Sequence, residues 1–331
     1  KSQSLFEEII SSKNLFAAWH ELKKAKTSKA DVIFFEKIYR EELSLLHQEL
    51  RDGYYEHAFY SEFYIQDPKL RKINKACVRD RILHHAVFRK LYPIFDRTFI
   101  FDSYSCRLGK GTHRAVRRLD AFFKKASQNN TKLCYVLKCD IKKFFNSINH
   151  DILISLMKKK IADKHALWLI GSIINSYSIA EKTGIPMGNI TSQIFANIYL
   201  NTFDQFAKHH LRATYYIRYC DDFLILSDNK KDLELMIPKI NHFLHSELKL
   251  HLHPDKVFIK TLASGMDFLG WVNFYSHRVL RTKTKNRMFK KLSRSPKKES
   301  LNSYLGLISH GNSYKIKKKI FNALESKYYE T

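Results

Sequence analysis

The chain has 331 residues, of which 58 are Lys or Arg and 32 are Asp or Glu, so its formal net charge at pH 7 is +26. A hydrophobic fraction of 44% supports a packed core and excludes wholesale disorder, while 10 Gly and 6 Pro disfavour collagen-like and loop-rich β architectures. No apolar run approaches the roughly 18 residues that a membrane span needs. The excess positive charge favours nucleic acid as partner over an anionic membrane surface or a role in solubility alone, and we expect no membrane partner. Basic residues are spread along the whole chain among Phe and Tyr, which favours a channel that binds nucleic acid.

The five cysteines are odd in number and show no CxxC spacing. This pattern disfavours a disulfide framework and a zinc ribbon, and it predicts free thiols in a reducing compartment. The 16 histidines likewise show no zinc-binding spacing.

Helical spacing of apolar residues dominates the first 60 residues, and Gly53 is expected to end that region. A short strand follows at 59–65, and a further helix at 76–95 is expected to stop near Pro93. The segment 105–112 contains two glycines and predicts a loop.

The rest of the chain alternates strands and helices without regular βαβ spacing, which predicts an α+β fold rather than a doubly wound one. The expected strands are 133–140, two within 215–226, and short ones at 258–259 and 268–274. The expected helices are 152–174, one from residue 190, 233–248, and a basic helical end at 283–329.

Three aspartates lie at strand ends in a chain that is poor in acids. Asp140 ends the first of these strands, and Asp221 and Asp222 lie at the joint of the pair within 215–226. Taken singly, such residues are a solvated turn or a helix N-cap. Taken together, three close carboxylates repel one another and need a counter-charge, and their hard oxygen atoms suit Mg²⁺.

The motifs around these acids resemble those of reverse transcriptases. Tyr219-Cys220-Asp221-Asp222 resembles the YxDD box, residues 139–145 (CDIKKFF) resemble the first palm motif, and residues 184–193 (GIPMGNITSQ) resemble the segment against the incoming nucleotide. Residues 69–80 resemble the basic fingers motif, and residues 250–256 and 267–271 (DFLGW) resemble the later palm motifs and the primer grip. The resemblance covers roughly residues 55–280 with the motifs in the correct order.

This resemblance implies an RNA-directed DNA polymerase with a right-hand architecture of fingers, a palm with an antiparallel sheet, and a helical thumb. It implies an N-terminal helical extension at 1–55, fingers with the start of the palm at 56–135, a palm at 136–280 that includes a helical segment at 150–185, and a basic thumb at 281–331.

It also implies roles for single residues. Asp140, Asp221 and Asp222 are the expected catalytic acids and, with the Ile141 carbonyl, ligands of two Mg²⁺ ions that Mn²⁺ can replace. The expected nucleotide-binding residues are Lys69, Arg71, Phe145, Met187, Gly188 and Gln193, with Phe145 excluding a ribose 2′-hydroxyl. Lys256 is the expected proton donor to pyrophosphate. The thumb residues expected to bind nucleic acid are Lys283, Lys285, Arg287, Lys290 and Lys291.

Residue types alone leave other interpretations open for several of these positions. Phe145 and Met187 are also compatible with core packing, and Lys69, Arg71 and Lys256 with a solvated basic surface.

One departure narrows the resemblance. Pro186-Met187-Gly188 stands where group II intron and most retroviral-type enzymes have Pro-Gln-Gly, and Ser192-Gln193 stands where many have Ser-Pro. Both features resemble the corresponding motifs of reverse transcriptases from diversity-generating retroelements. Those enzymes copy a template RNA with errors at adenines, and the mutated cDNA then replaces part of a target gene.

That subtype implies a template RNA, a primer or cDNA, dNTPs and a small basic oligomeric accessory variability protein as partners. It also implies a cytoplasmic enzyme that is bacterial, archaeal or phage-encoded. The alternatives are a group II intron-like, retron or phage-defence reverse transcriptase, or an inactive nucleic-acid-binding scaffold.

Overall fold

The computed structural model describes residues 4–24, 26–66, 70–294 and 298–328. In chain order its helices are α1 (Leu5–Ile10), α2 (Ser12–Lys23), α3 (Ala30–Asp52), α4 (Val78–Asp96), α5 (Thr112–Ala126), α6 (Phe144–Ser147), α7 (His150–Lys158), α8 (Lys164–Asn175), α9 (Ile190–Gln205), α10 (Lys230–Leu248), α11 (Thr282–Arg294), α12 (Lys298–Ile308) and α13 (Tyr314–Tyr328). Its strands are β1 (Ser61–Gln66), β2 (Leu70–Lys75), β3 (Tyr135–Asp140), β4 (Tyr215–Tyr219), β5 (Asp222–Ser227), β6 (Phe258–Thr261), β7 (Met266–Phe268), β8 (Trp271–Asn273) and β9 (Arg278–Leu280). Within these described ranges, no helix is both long and apolar enough to cross a bilayer.

Three helices form the N-terminal part of the chain and pack against α4. The hydroxyls of Ser4 and Ser11 cap α1 and α2 by accepting backbone N–H bonds, and α3 ends at Gly53, whose φ of +80° is left-handed. Helix α4 runs past Pro93 to Asp96, later than expected. Pro93 lies in the last turn, where the missing N–H removes only one hydrogen bond.

An exposed antiparallel hairpin, β1–β2, follows the N-terminal helices, with Ser61 paired to Lys75. The sequence predicted its first strand near 59–65 but not β2, because four of the six residues of β2 are polar and break the apolar pattern of a buried strand. The hairpin is attached to the rest of the molecule at its base, where the Asn74 amide donates to the Met187 carbonyl (3.0 Å).

The central sheet has four antiparallel strands in the order β4-β5-β3-β6. Side chains alternate between its two faces, as the period of a strand requires. Leu137 and Phe223 join the large core that includes α9 and α10, whereas Val136 and Leu224 join a second core with α5. The sequence had left residues 113–132 unassigned, and α5 fills this segment.

Two segments that were predicted to be helical each contain more than one helix. The 152–174 segment separates into α7 and α8, because the Asp163 carboxylate accepts the first amides of α8 and starts a new helix. The basic end of the chain consists of α11, α12 and α13, which enclose a small core with Trp271 of the three-stranded sheet β7-β8-β9.

Candidate active site

Three aspartates meet at one end of the central sheet. The register of β3 against β5 places Asp140 directly opposite Asp222, and the turn between β4 and β5 carries Asp221. Direct antiparallel neighbours have Cβ atoms roughly 4.5–5.5 Å apart. The Ile141 amide donates to the Asp221 carbonyl (3.2 Å), which fixes the turn against the end of β3.

The carboxylates affect one another electrostatically. Burial raises the pKa of Asp222 to about 6, the charge of Lys138 opposes that rise, and the charges of Asp140 and Asp221 add to it. Burial and then the charge of Asp140 raise the pKa of Asp221. The site therefore disfavours its own negative charge, as expected where acids are gathered before a cation binds.

Two lysines balance part of this charge. Lys256 Nζ lies 2.6 Å from Asp140 Oδ1, while Lys138 Nζ lies 3.0 Å from Asp222 Oδ2 and 2.6 Å from the Asp267 carbonyl oxygen. In the described part of the chain, no three His, Cys, Asp or Glu side chains converge closely enough to hold a metal ion. The donor set still fits a divalent cation, because its oxygens are hard ligands and the buried Asp222 Oδ1 has no hydrogen-bond partner.

A buried ion pair supports the acidic turn from behind. The Arg218 guanidinium donates to both carboxylate oxygens of Asp204 (2.7 and 2.6 Å) and to the Cys220 carbonyl (3.0 Å). Arg218 is 1% exposed and Asp204 is fully buried, and the Tyr216 hydroxyl also donates to Asp204 (2.6 Å). Cys220 has a φ of +57°, which is an unfavourable backbone conformation for a residue other than glycine. The hydrogen bond from the Arg218 guanidinium to the Cys220 carbonyl stabilises this conformation.

Sequence reasoning missed Lys138 and Arg218. Signals for them were present, because each is a cation inside an otherwise apolar strand, where a charge requires a partner. The partners, Asp222 and Asp204, are distant in sequence, so only the fold shows the pairing.

The loop 184–188 lies between the β1–β2 hairpin and α6. The Ile185 amide donates to the Phe145 carbonyl (2.9 Å), and the Asn189 side chain donates to the Asn74 carbonyl (2.8 Å). Gly188 has a φ of +112°, and a Cβ there would lie 2.7 Å from the Ile73 side chain. The structure thus brings together the backbones of Phe145, Met187 and Gly188.

The other predicted nucleotide-binding residues lie around this loop or outside the described residues. Gln193, in the first turn of α9, lines a cavity of about 210 Å³ together with Gly188, Arg81 and His84. Arg71 is exposed on β2, and Lys69 lies outside the described residues.

The predicted nucleic-acid-binding residues of the thumb share helix α11, whose Met288 and Leu292 are buried against α12 and α13. Lys283, Lys290 and Lys291 are exposed on this helix, and Lys285 and Arg287 are half-buried.

Comparison with known proteins identifies the family. The family model for reverse transcriptase (RNA-dependent DNA polymerase) matches residues 66–273, which is more than half of the chain. The chain belongs to the reverse transcriptase family. Its α+β architecture is accordingly the right-hand polymerase architecture, and its polymerase domain is of the RNA-directed DNA polymerase type.

Similar proteins include Protein YkfC of Escherichia coli (strain K12), which is 26% identical over 301 residues, covering 79% of this chain and 77% of that protein. The group II intron-encoded protein LtrA of Lactococcus lactis subsp. cremoris is 24% identical over 339 residues, covering 81% of this chain. This reverse transcriptase chain spans 54% of the length of LtrA. Among solved structures, apo telomerase from Candida tropicalis, truncated from its C-terminal domain, matches with a TM-score of 0.48 and 15% identity, covering 67% of this chain and 53% of that one.

Proposed function

We propose that the protein synthesises DNA on an RNA template by phosphoryl transfer at Asp140, Asp221 and Asp222. The observation that carries this proposal is the register that sets Asp140 opposite Asp222 and beside the turn of Asp221. Asp140, Asp221 and the Ile141 carbonyl would hold two Mg²⁺ ions, with Asp222 as a third acid nearby. When bound, the ions supply positive charge that stabilises the attacking and leaving oxygens.

The chain's own residues would then position the substrate. Phe145 would pack against the sugar and exclude a ribose 2′-hydroxyl, while Arg71 and Lys69 would bind the triphosphate. Lys256, whose ammonium already bonds Asp140, would donate the proton that pyrophosphate takes up as it leaves. The α11 cations would contact phosphates of the template–product duplex without reading its sequence. The proposal includes the expected division of the chain into an N-terminal extension at 1–55, fingers with the start of the palm at 56–135, a palm at 136–280 and a thumb at 281–331.

Primer extension on a defined RNA, with and without Mg²⁺, tests this function. Asp221→Asn removes an acid of the site, and Asp151→Asn makes the same change at a carboxylate on α7 that is 65% exposed. We expect extension by the wild type and by Asp151→Asn but not by Asp221→Asn. Extension that survives in Asp221→Asn contradicts the assignment of the acids. A wild type that binds the hybrid but never extends it supports the inactive scaffold.

We further propose that the copying is error-prone at template adenines, as in the diversity-generating subtype. Met187 supports this proposal. Its backbone carbonyl accepts a hydrogen bond from the Asn74 amide, so the position of the residue is fixed. Its thioether cannot donate a hydrogen bond, whereas the glutamine that related enzymes have at this position can. The Ser192-Gln193 pair at the start of α9 supports the same subtype. The similarity to LtrA favours the alternative, a group II intron-like enzyme with ordinary fidelity.

Sequencing of cDNA made from one RNA, scored by template base, separates these two proposals. Met187→Gln should lower the error rate at adenines, and Met236→Gln, at a half-buried methionine on α10, should leave it unchanged. A wild type with equal error rates at all four bases refutes the mutagenic subtype and leaves the polymerase proposal intact.

The same subtype proposal includes an oligomeric basic accessory protein and a cytoplasmic location in a bacterial, archaeal or phage-infected cell. All five cysteines are free thiols, which supports a reducing compartment. Co-purification of the tagged chain with an accessory protein encoded beside it tests the partnership.

A further inference from the structure

The thumb joins the rest of the molecule through a small apolar contact. Val116 of α5 packs in one cluster with Trp271, Leu280 and Ile308. The turn between α12 and α13 is seated on this cluster, because a Cβ at Gly311 would collide with the Trp271 ring. The Asn312 amide also donates to the Arg278 carbonyl (2.9 Å), so the turn is held on β9.

Four basic side chains from three elements gather over this joint: His113 and Arg117 of α5, Arg278 of β9, and His310 of the α12–α13 turn. The His113 and His310 ring centroids are only 3.8 Å apart. Arg278 forms an ion pair with Asp120, which supplies one carboxylate for the group.

The electrostatic environment of this basic group is unfavourable. Burial and the charge of Arg117 lower the pKa of Arg278. Burial, then His113, Arg117 and Arg278, lower the pKa of His310. An anion bound among these groups would offset their mutual repulsion.

The position of this group relates it to the acids. Thr112, the first residue of α5, directs its hydroxyl to the Tyr219 hydroxyl (3.3 Å), and Tyr219 pairs with Asp222 across β4 and β5. His113 follows Thr112 directly. The basic group therefore begins beside the acidic turn and extends toward the thumb.

We propose that His113, Arg117, Arg278 and His310 form a binding site for a backbone phosphate of the primer–template hybrid. This inference rests on the proposed polymerase function. Guanidinium groups match phosphate oxygens in a forked geometry, and imidazole N–H groups add further donors. Because the elements that carry the four groups pack together at this joint, their relative positions are set before the nucleic acid arrives. The phosphate can belong to the DNA primer or to the RNA template, and the experiment separates these sources.

Fluorescence anisotropy without Mg²⁺ or dNTP tests the site with two probes, the template RNA alone and the same RNA annealed to a DNA primer. Arg117→Gln removes one exposed cation of the site, and Lys125→Gln makes the matching charge change at an exposed lysine in the last turn of α5. His310→Asn provides a second variant from a different element. Both arginine and histidine variants are compared with the wild type by thermal melting.

Removing one phosphate contact should lower the slope of log affinity against log salt by about 0.9 for the hybrid and about 0.7 for the single-stranded RNA. Between roughly 50 and 200 mM salt, the wild type should therefore lose about 3.5-fold more affinity for the hybrid, and about 2.6-fold more for the RNA, than Arg117→Gln, while Lys125→Gln keeps the wild-type slope. A change seen with the hybrid alone assigns the phosphate to the primer, and a change seen with both probes assigns it to the template RNA. A wild-type slope for Arg117→Gln together with wild-type affinity for His310→Asn at about 50 mM salt overturns the site. Because binding is measured without catalysis, this failure is distinct from a failure of the Asp221 test.

Discussion

The buried pair of Arg218 and Asp204 offers a sharp test of how the acidic turn is positioned. The guanidinium is the group that contacts both the Asp204 carboxylate and the Cys220 carbonyl. If this contact holds Asp221 in place, catalysis should depend on the arginine even when the protein is otherwise stable. If the pair only stabilises the fold, activity should follow stability.

The expected magnitudes follow from what each change leaves behind. Arg218→Met leaves Asp204 buried without its cation and should cost about 3–5 kcal/mol in the free energy of unfolding. Replacing both residues, Arg218→Met with Asp204→Leu, removes both charges and should restore much of that stability. Neither variant supplies a donor to the Cys220 carbonyl. Tyr216→Phe removes one hydroxyl bond to Asp204 and should cost about 1 kcal/mol.

Urea unfolding and steady-state primer extension measure the two quantities separately. We expect the double variant to recover stability while its kcat stays about 100-fold below wild type, since displacement of a reacting group by about 1 Å costs that much. KM for dNTP should change little, because the nucleotide-side loop is untouched. Tyr216→Phe should keep the wild-type kcat. A double variant that regains both stability and kcat refutes the positioning role.

Three further predictions concern the acids and the nucleotide side. Asp222→Asn should gain stability relative to the metal-free wild type as pH rises from 3.8 to about 6, because burial raises the pKa of the wild-type carboxyl in the folded state and its ionisation then costs stability. Urea unfolding in the presence of a chelator should show the difference in unfolding free energy between variant and wild type change by about 3 kcal/mol over that pH range. A difference that stays constant with pH contradicts this prediction. Phe145→Val should raise ribonucleotide incorporation by roughly 10–200-fold relative to deoxynucleotides in single-nucleotide extension, and unchanged selectivity argues for a packing role. Gly188→Ala should cost more stability than Gly53→Ala, since both have positive φ but only the Cβ at 188 meets a neighbour within 3 Å; equal thermal shifts would show that the contact relaxes freely.

The central sheet was the part of the fold that sequence patterns predicted best. Apolar runs of strand length led to β3, β4 and β5, and the acids Asp140 and Asp221 lie where these runs end. A strand that is buried on both faces of its sheet needs a continuous run of apolar residues, so such strands can be predicted from the sequence alone.

Other parts of the fold were hidden for a physical reason. Strand β2 is largely polar and only partly buried, so its conformation is set mainly by pairing with β1. The pairing of Lys138 with Asp222 was equally hidden, because hydrophobic periodicity reports which positions are buried and not which distant residues they contact. The Lys138 contact with Asp222 joins residues from two strands whose register only the fold defines.

Energetically unfavourable features concentrate around the three acids. Lys143 lies three residues after Asp140, and Cys220 directly precedes Asp221. Both residues adopt a positive φ although neither is glycine. Arg218 is a buried charge two residues before Cys220, and Asp222 has a buried oxygen without a hydrogen-bond partner. Each feature costs stability, and the large apolar cores on both faces of the sheet offset that cost. Folding alone gives no reason to gather such features at one strand end, whereas the site proposed above, which would present charge to a cation and a triphosphate, gives one.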